Sequence, residues 1–435
     1  MTHSAGDPSL GSFASLTGRQ ILDRMRDFEQ WRRSHVTRGQ WGYHRTMSTA
    51  YSQRRPRSHD ETSRQSSGVN LISQDYLSLG THPAIREAIV TTLDTYGPHS
   101  AGSPCAAGET ALSDELCEQI SQLLAMSHVV LFPSGWAAGF GVVQALVRRS
   151  DHILVDELSH ACVQEGVAAS RCRNVTRFRH LDNDAVQSAL RRIRGSDATG
   201  GILVITESLF SMDSDTPDLA ELQKICREFD ATLVVDQAHD IGVLGPDGRG
   251  NAAAQGMLGQ LDLVVGSFSK CLASNGGYIA TNSAPVAQYL RYFASTHIFS
   301  SALSPLQAAA TSAAIRVVLS EDGARRREAV LRNAIRLRTG LSGPCRGIVL
   351  GSPSPIVPLQ VDSLAAARTA LGIAERDGVL THLVEFPIVP RGQARFRLTV
   401  GSGHRADDLD HAARTLARAI DEAFLTEDRR RPEKA

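Results

Sequence analysis

The stretch ILVITESLFSMDSDTPDLAELQKICREFDATLVVDQAHD, residues 202–240, reads as strand, polar turn, helix, strand and polar turn again. Ile202–Thr206 and Thr232–Val235 are short, β-branched and largely apolar, the pattern of strands. Asp218–Arg227 between them reads as a helix. The same alternation runs outward on both sides, with strands expected at Val129–Phe132, Ile153–Val155, Leu261–Val265 and Tyr278–Ala280, and a helix over Asp184–Arg194. Strands alternating with helices over this length predict an α/β fold with a mainly parallel sheet. A long helical stretch, Leu306–Leu341, leads into a smaller α/β region. Its candidate strands are Ile356–Val361 and Phe396–Val400, closed by a helix from Asp407 to Leu425.

The expected organisation is a polar N-terminal extension over 1–68, a large domain over 69–320 and a small C-terminal α/β domain over 321–435. The extension is arginine-rich, with a helix expected from Gly18 to Arg33, and Tyr51–Gly68 has the composition of a mobile linker. No internal repeat is evident.

At 435 residues with 42% hydrophobic and 21% charged residues, the chain is long enough for a large core. Lys plus Arg and Asp plus Glu balance at 46 each, so no global field of one sign attracts nucleic acid or an anionic membrane. Cysteines 105, 117, 162, 172, 226, 271 and 345 are scattered without metal-ligand spacing and read as free thiols of a reducing compartment. No apolar run approaches the ~20 residues of a membrane span, and MTHSAGDPSLGS lacks the regions of a signal peptide. A cytoplasmic location is expected.

In an open parallel sheet, ligands bind beyond the carboxyl ends of the strands, where loops and helix N-termini converge. The unusual polar residues fall there. PSGWAAG follows the first strand, DELSHAC the next, then ESLFSMD, DQAH and GSFSK. Lys270 comes after small and hydroxyl residues, Gly266, Ser267 and Ser269, which suit a confined amine beside an anion site. A lysine nucleophile needs partial desolvation, and a phosphate needs hydroxyls and free amides. Asp236 ends a strand too apolar for an unpaired charge, so it calls for a cation or serves as a helix cap. A pyridinium nitrogen of pyridoxal 5′-phosphate (PLP) is such a cation, and Lys270 is then the residue that binds PLP as a Schiff base. His239 and His160 are candidates to touch the ring, although lone histidines are more often structural. Ser134-Gly135-Trp136 opens a glycine-containing helix, which suits a phosphate or a plain turn.

These residues resemble the α-oxoamine synthases, fold-type I PLP enzymes. The group includes 8-amino-7-oxononanoate synthase, 2-amino-3-ketobutyrate CoA ligase, 5-aminolevulinate synthase and serine palmitoyltransferase. The most specific wording is FSMDSD from Phe210, VVDQAHDIGVLGPDGRG from Val234, GSFSK from Gly266, IFSSALSP from Ile298 and VPRGQARFRLTVGSGH from Val389. The resemblance implies a PLP-dependent transferase fold of type I with a seven-stranded, mainly parallel sheet in the large domain. It implies that Lys270 carries the cofactor, Asp236 pairs with the ring nitrogen, His160 lies on the ring face and His239 near the ring oxygen. Ser134, Gly135, Trp136, Ser269 and, across a homodimer interface with shared active sites, Ser301 would line the phosphate. Ser211 would lie near the ring, and Arg397 would hold the amino-acid carboxylate.

The chain departs from the family on the substrate side. Gln74 stands where asparagine is usual, Gly102-Ser103-Pro104 lacks an arginine, and Ser113 replaces a histidine. Gln237 and Asp240 replace a frequent glutamate and serine. The implied reaction is a decarboxylative condensation of an amino acid with an acyl thioester, on CoA or an acyl carrier protein, giving an α-aminoketone. The missing arginine at Pro104 and the basic N-terminal segment suggest a nonstandard donor. A fold-type I aminotransferase needs the same lysine, aspartate and arginine and stands as the alternative. A catalytically silent PLP-binding subunit is a third reading. Ser267-Phe268-Ser269-Lys270 is formally S-x-x-K, but the companion β-lactamase motifs are absent, as are H-E-x-x-H and G-x-G-x-x-G.

Overall fold

The computed structural model describes residues 8–50, 54–343 and 345–430. The chain forms two compact units. One comprises residues up to Gln74, Met212–Ser214 and the chain from Ala329 onward; the other comprises Asp75–Ser211 and Asp215–Glu328.

The larger unit is built on seven strands: β1 (His128–Phe132), β2 (His152–Asp156), β3 (Asn174–Phe178), β4 (Ile202–Glu207), β5 (Thr232–Asp236), β6 (Leu263–Ser267) and β7 (Gly277–Thr281). Their spatial order is β1-β7-β6-β5-β4-β2-β3. β7 runs antiparallel to both neighbours, while the pairs among β2 to β6 are parallel. Each expected run overlaps a strand, that at Leu261–Val265 starting two residues before β6, and β3, with the polar sequence NVTRF, completes the sheet. Val130, Phe132, Ile153, Val155, Ile205, Val234, Val265 and Ile279 form one buried cluster with Ala138, Val142 and Val163 of the covering helices. This explains the apolar wording of the strands: each central strand is covered on both faces and buries nearly every side chain. The helical stretch expected over Leu306–Leu341 divides into helices Pro305–Val318 and Glu321–Leu341.

In the smaller unit, β8 (Ile348–Val349), β9 (Ile356–Gln360), β10 (Leu383–Val384) and β11 (Arg395–Thr399) form an antiparallel sheet in the order β8-β9-β11-β10. Helices Leu364–Arg376 and Ala406–Arg430 belong to the same unit. Near the N-terminus a helix spans Arg26–Thr37, later than the expected Gly18–Arg33.

The linker expected over Tyr51–Gly68 is corrected by the structure. Residues 51–53 lie outside the described residues, but Arg57–His59 and Gln65–Ser67 pair as an antiparallel hairpin that Thr46–Met47 extends. The polar composition misled because several polar groups in this region find protein partners, although the buried Ser58 hydroxyl has none among the described residues. Arg45 pairs with Glu375 at 2.8 Å, and the Ser66 hydroxyl donates to the same carboxylate at 2.5 Å. A polar stretch with fixed partners folds without apolar periodicity. Among the described residues no helix is long and apolar enough to cross a membrane.

Candidate active site

The carboxyl ends of β4, β5 and β6 bring acidic, amine and hydroxyl groups together. Glu207 ends β4 and Asp236 ends β5, and the two are direct partners in the parallel ladder. Asp236 is 9% exposed, and its Oδ1 accepts the Ala238 N–H at 2.8 Å. Its carbonyl accepts the Ser208 N–H and hydroxyl at 2.8 and 3.1 Å, while the Gln237 N–H donates to Val265 O, at the same level of β6. These bonds fix the turn that carries Asp236 to His239. The His239 Nδ1 lies 2.9 Å from the Tyr76 hydroxyl, so this ring also has a set orientation.

His160 caps the helix α1 (Ala161–Ser170), its Nδ1 accepting the Cys162 N–H at 3.2 Å. Its own backbone N–H donates to Glu207 Oε1 at 2.6 Å. Glu207 therefore ties the β2 loop to the end of β4. Burial, and next the charge of Asp236, push the Glu207 carboxyl well above its ordinary range. Burial likewise raises the Cys162 thiol, and Asp236, Glu207 and Lys270 all act on it electrostatically. Cys162, Glu207, Asp236 and Lys270 thus share one local field.

Lys270 lies in the loop between β6 and β7, a half-buried position. The loop is closed by Phe268 N–H to Gly276 O at 3.0 Å and Ala273 N–H to Lys270 O at 3.1 Å. Phe268 is fully buried and stacks on Tyr278 of β7. The loop is thus anchored on its apolar side.

The hydroxyl group cluster is equally local. Ser267 and Ser269 place their oxygens 2.8 Å apart. Above them the helix Gly135–Leu146 starts, with Ser134 as N-cap accepting the Ala137 N–H at 3.1 Å. A Cβ at Gly135 would stand 2.5 Å from Ser267 Cβ, so only glycine lets this helix end approach the hydroxyls. The first N–H groups of a helix lack intrahelical partners and carry partial positive charge. Two hydroxyls facing such an end form a cradle for a phosphate, which fits the phosphate of PLP. With a carboxylate at the end of β5 and an amine in the next loop, this donor set suits PLP as a whole. Trp136 is 46% exposed and stacked on Phe140. Ser211 is half-buried, and Ser301 is exposed.

Arg397 and Gln74 belong to the smaller unit. They line a cavity of about 260 Å3 together with Tyr43, Arg45 and His382. Arg397, on β11, is buried, and its backbone N–H donates to His382 O at 2.8 Å.

Sequence reasoning missed Glu207 and His382. Glu207 was legible: an acid closing an apolar strand raises the same question as Asp236. His382 carried no local signal, because only the pairing of β10 with β11 brings it beside Arg397.

The family model for aminotransferase class I and II matches residues 66–416. The chain is 36% identical over 347 residues to the 8-amino-7-oxononanoate synthase of Geobacter metallireducens, covering 80% of this chain and 87% of that protein. It is 35% identical over 354 residues to the same-named protein of Methylococcus capsulatus, covering 81% and 89%. Among solved structures, a serine palmitoyltransferase of S. paucimobilis with a bound PLP–myriocin aldimine superimposes with a TM-score of 0.86. It is 23% identical and covers 94% of this chain and 100% of that one.

Proposed function

The chain belongs to the aminotransferase class I and II family and, within it, to the α-oxoamine synthases, and from that premise we propose how its residues divide the work. It is a PLP-dependent acyltransferase that joins the α-carbon of an amino acid to the acyl carbon of a thioester, releasing CO2 and the free thiol. The relatives named above are synthases rather than aminotransferases, which favours condensation over amino transfer.

PLP, when bound, supplies an electron sink for the pair left at Cα. Lys270 would hold the cofactor through Nζ, and its amine, when free, would serve as general base toward the Cα proton. Asp236 would pair with the protonated ring nitrogen, and His239, oriented by Tyr76 at 2.9 Å, would hydrogen-bond the ring oxygen. The amides of Gly135 and Trp136, with Ser134 and Ser269, receive the phosphate, and the partner subunit's Ser301 adds a further hydroxyl. His160 would lie against the ring and would donate a hydrogen bond to the thioester carbonyl as charge develops there. Ser211 contacts cofactor or substrate, Arg397 binds the α-carboxylate and Gln74 assists on the substrate side. The acyl group arrives on CoA or on an acyl carrier protein.

The observation that carries this reading is the convergence of Asp236, Lys270 and the Ser267–Ser269 cradle at adjacent strand ends. A homodimer is supported by exposed Tyr292, Phe293 and Phe299, at 62%, 56% and 86%, close in sequence to Ser301. The seven unpaired cysteines support a reducing, cytoplasmic setting. The test is spectroscopic and chemical. Wild type loaded with PLP is expected to show an absorbance band that Lys270→Ala loses, and to release CO2 only when amino acid and acyl thioester are both present. Keto-acid-dependent amino transfer without thioester would overturn the reading.

A further inference from the structure

The cavity of the smaller unit holds a histidine that the residue roles above leave unused. His382 lies between Leu380 and β10, and its carbonyl is bonded to the Arg397 N–H at 2.8 Å. The backbone therefore fixes His382 and Arg397 as neighbours. Tyr43 then fixes the ring: its hydroxyl donates to Leu383 O at 3.1 Å, and its ring meets the imidazole edge-on at 5.3 Å and 84°.

Among the described residues, neither the ring nitrogens of His382 nor the side-chain amide of Gln74 has a hydrogen-bonding partner, and both line the cavity with Arg397. Partly buried polar groups without protein partners around one concavity are arranged for a ligand. We infer that His382 is a specificity-determining residue that hydrogen-bonds a hydroxyl group on the amino acid's side chain while Arg397 holds the α-carboxylate. The inference rests on the proposed role of Arg397.

The chemistry of the imidazole selects the group. Burial, and next the charges of Arg397 and Arg45, push His382 down to about 4, so it is neutral near pH 7. A neutral imidazole offers one donor and one acceptor, the complement of a hydroxyl, which also has both. Arg45 is engaged by Glu375 at 2.8 Å and leaves the histidine as the neutral reader of the cavity. At about 260 Å3 the space exceeds what glycine needs.

The test measures amino-acid binding to the PLP-loaded enzyme by the shift in cofactor absorbance, with no acyl donor and no turnover. Wild type is expected to bind serine more tightly than alanine. His382→Ala should weaken serine roughly tenfold while leaving alanine unchanged, and His382→Asn should recover part of the difference. Thermal melting of each variant checks folding, and His382→Asn carries the test if the alanine variant does not fold. An unchanged serine-to-alanine ratio in a folded His382 variant overturns the inference, as does a wild-type preference for alanine or for aspartate over serine. Arg397→Lys separates the two readings, since it should weaken all amino acids alike. If it weakens none, the carboxylate assignment fails and takes this inference with it; if only the His382 ratio fails to move, the carboxylate assignment stands alone.

Discussion

Glu207 and Asp236 stand side by side at the ends of two parallel strands, and one of these acids supports the loop of His160 through a 2.6 Å hydrogen bond. Burial, followed by the charge of Asp236, pushes the Glu207 carboxyl well above its ordinary range, toward the neutral form. A neutral acid is nearly isosteric with an amide. Glu207→Gln is therefore expected to change stability by less than about 1 kcal/mol, because the His160 N–H keeps an acceptor. Glu207→Ala strands that N–H and opens a void, for a loss of about 2–4 kcal/mol. Urea unfolding of both variants at pH 7 checks the difference.

Asp240 is fully buried, and its Oδ2 accepts the Asn251 N–H at 2.7 Å. Burial raises its carboxyl to about 7, against the opposing pull of that hydrogen bond. The folded chain then keeps a proton that the unfolded chain sheds near pH 4, so this group's contribution to stability is present below about 4 and lost as pH rises through about 7. Asp240→Asn preserves an acceptor and removes the titration. It is expected to flatten stability between pH 5 and 7 and to raise it at pH 8 by on the order of 2 kcal/mol, measured by denaturant unfolding across that range.

His180 bridges two acids, Asp156 at 2.9 Å and Asp215 at 3.1 Å. Burial disfavours its charge, but the hydrogen bonds to Asp156 and then Asp215 outweigh it and raise the ring to about 10. The folded-state value lies above the unfolded one near 6.5, so the stabilisation is complete below about 6.5 and disappears as pH rises through about 10. His180→Gln should lower stability at pH 6 by about 2 kcal/mol and reduce the loss between pH 7 and 10. Melting temperatures at pH 6, 8 and 10 give the comparison.

Gly135 touches the hydroxyl cradle directly. A methyl group there would lie 2.5 Å from Ser267 Cβ and 3.2 Å from its Cα, so the helix end must move away from the hydroxyls. Gly135→Ala is expected to weaken PLP retention roughly tenfold or more, with a smaller effect on global stability. Equilibrium dialysis against free PLP measures it. Undiminished affinity would show that the phosphate lies elsewhere.

The large sheet was legible because its central strands bury nearly every side chain and so appear as unbroken apolar runs. β3 was not: NVTRF is an edge strand whose residues are mostly half-buried or exposed, and its stability comes from pairing with β2. The hairpin over 57–67 was hidden for a related reason, since Arg64 and Ser66 find their charged partner in Glu375 rather than among neighbours in sequence. The break between Val318 and Glu321 was also missed, although Ser320 there accepts the Gly323 N–H. The polar residues that gather at the strand ends could be picked out from type and position. His382 could not, because its meaning depends on Arg397, which reaches it only through a β-ladder.

The antiparallel placement of β7 matters beyond the sheet. Because β7 returns directly from β6, with Ser267 opposite Gly277, the lysine loop is closed by a hairpin rather than by a crossover helix. Closing so short a loop costs little chain entropy, whereas Ser134 and Glu207 reach the same region from far along the chain. Fraying at the β3 edge leaves that hairpin intact. The amine is thus tethered to the most local element of the pocket, so the groups around it can loosen without setting the lysine adrift.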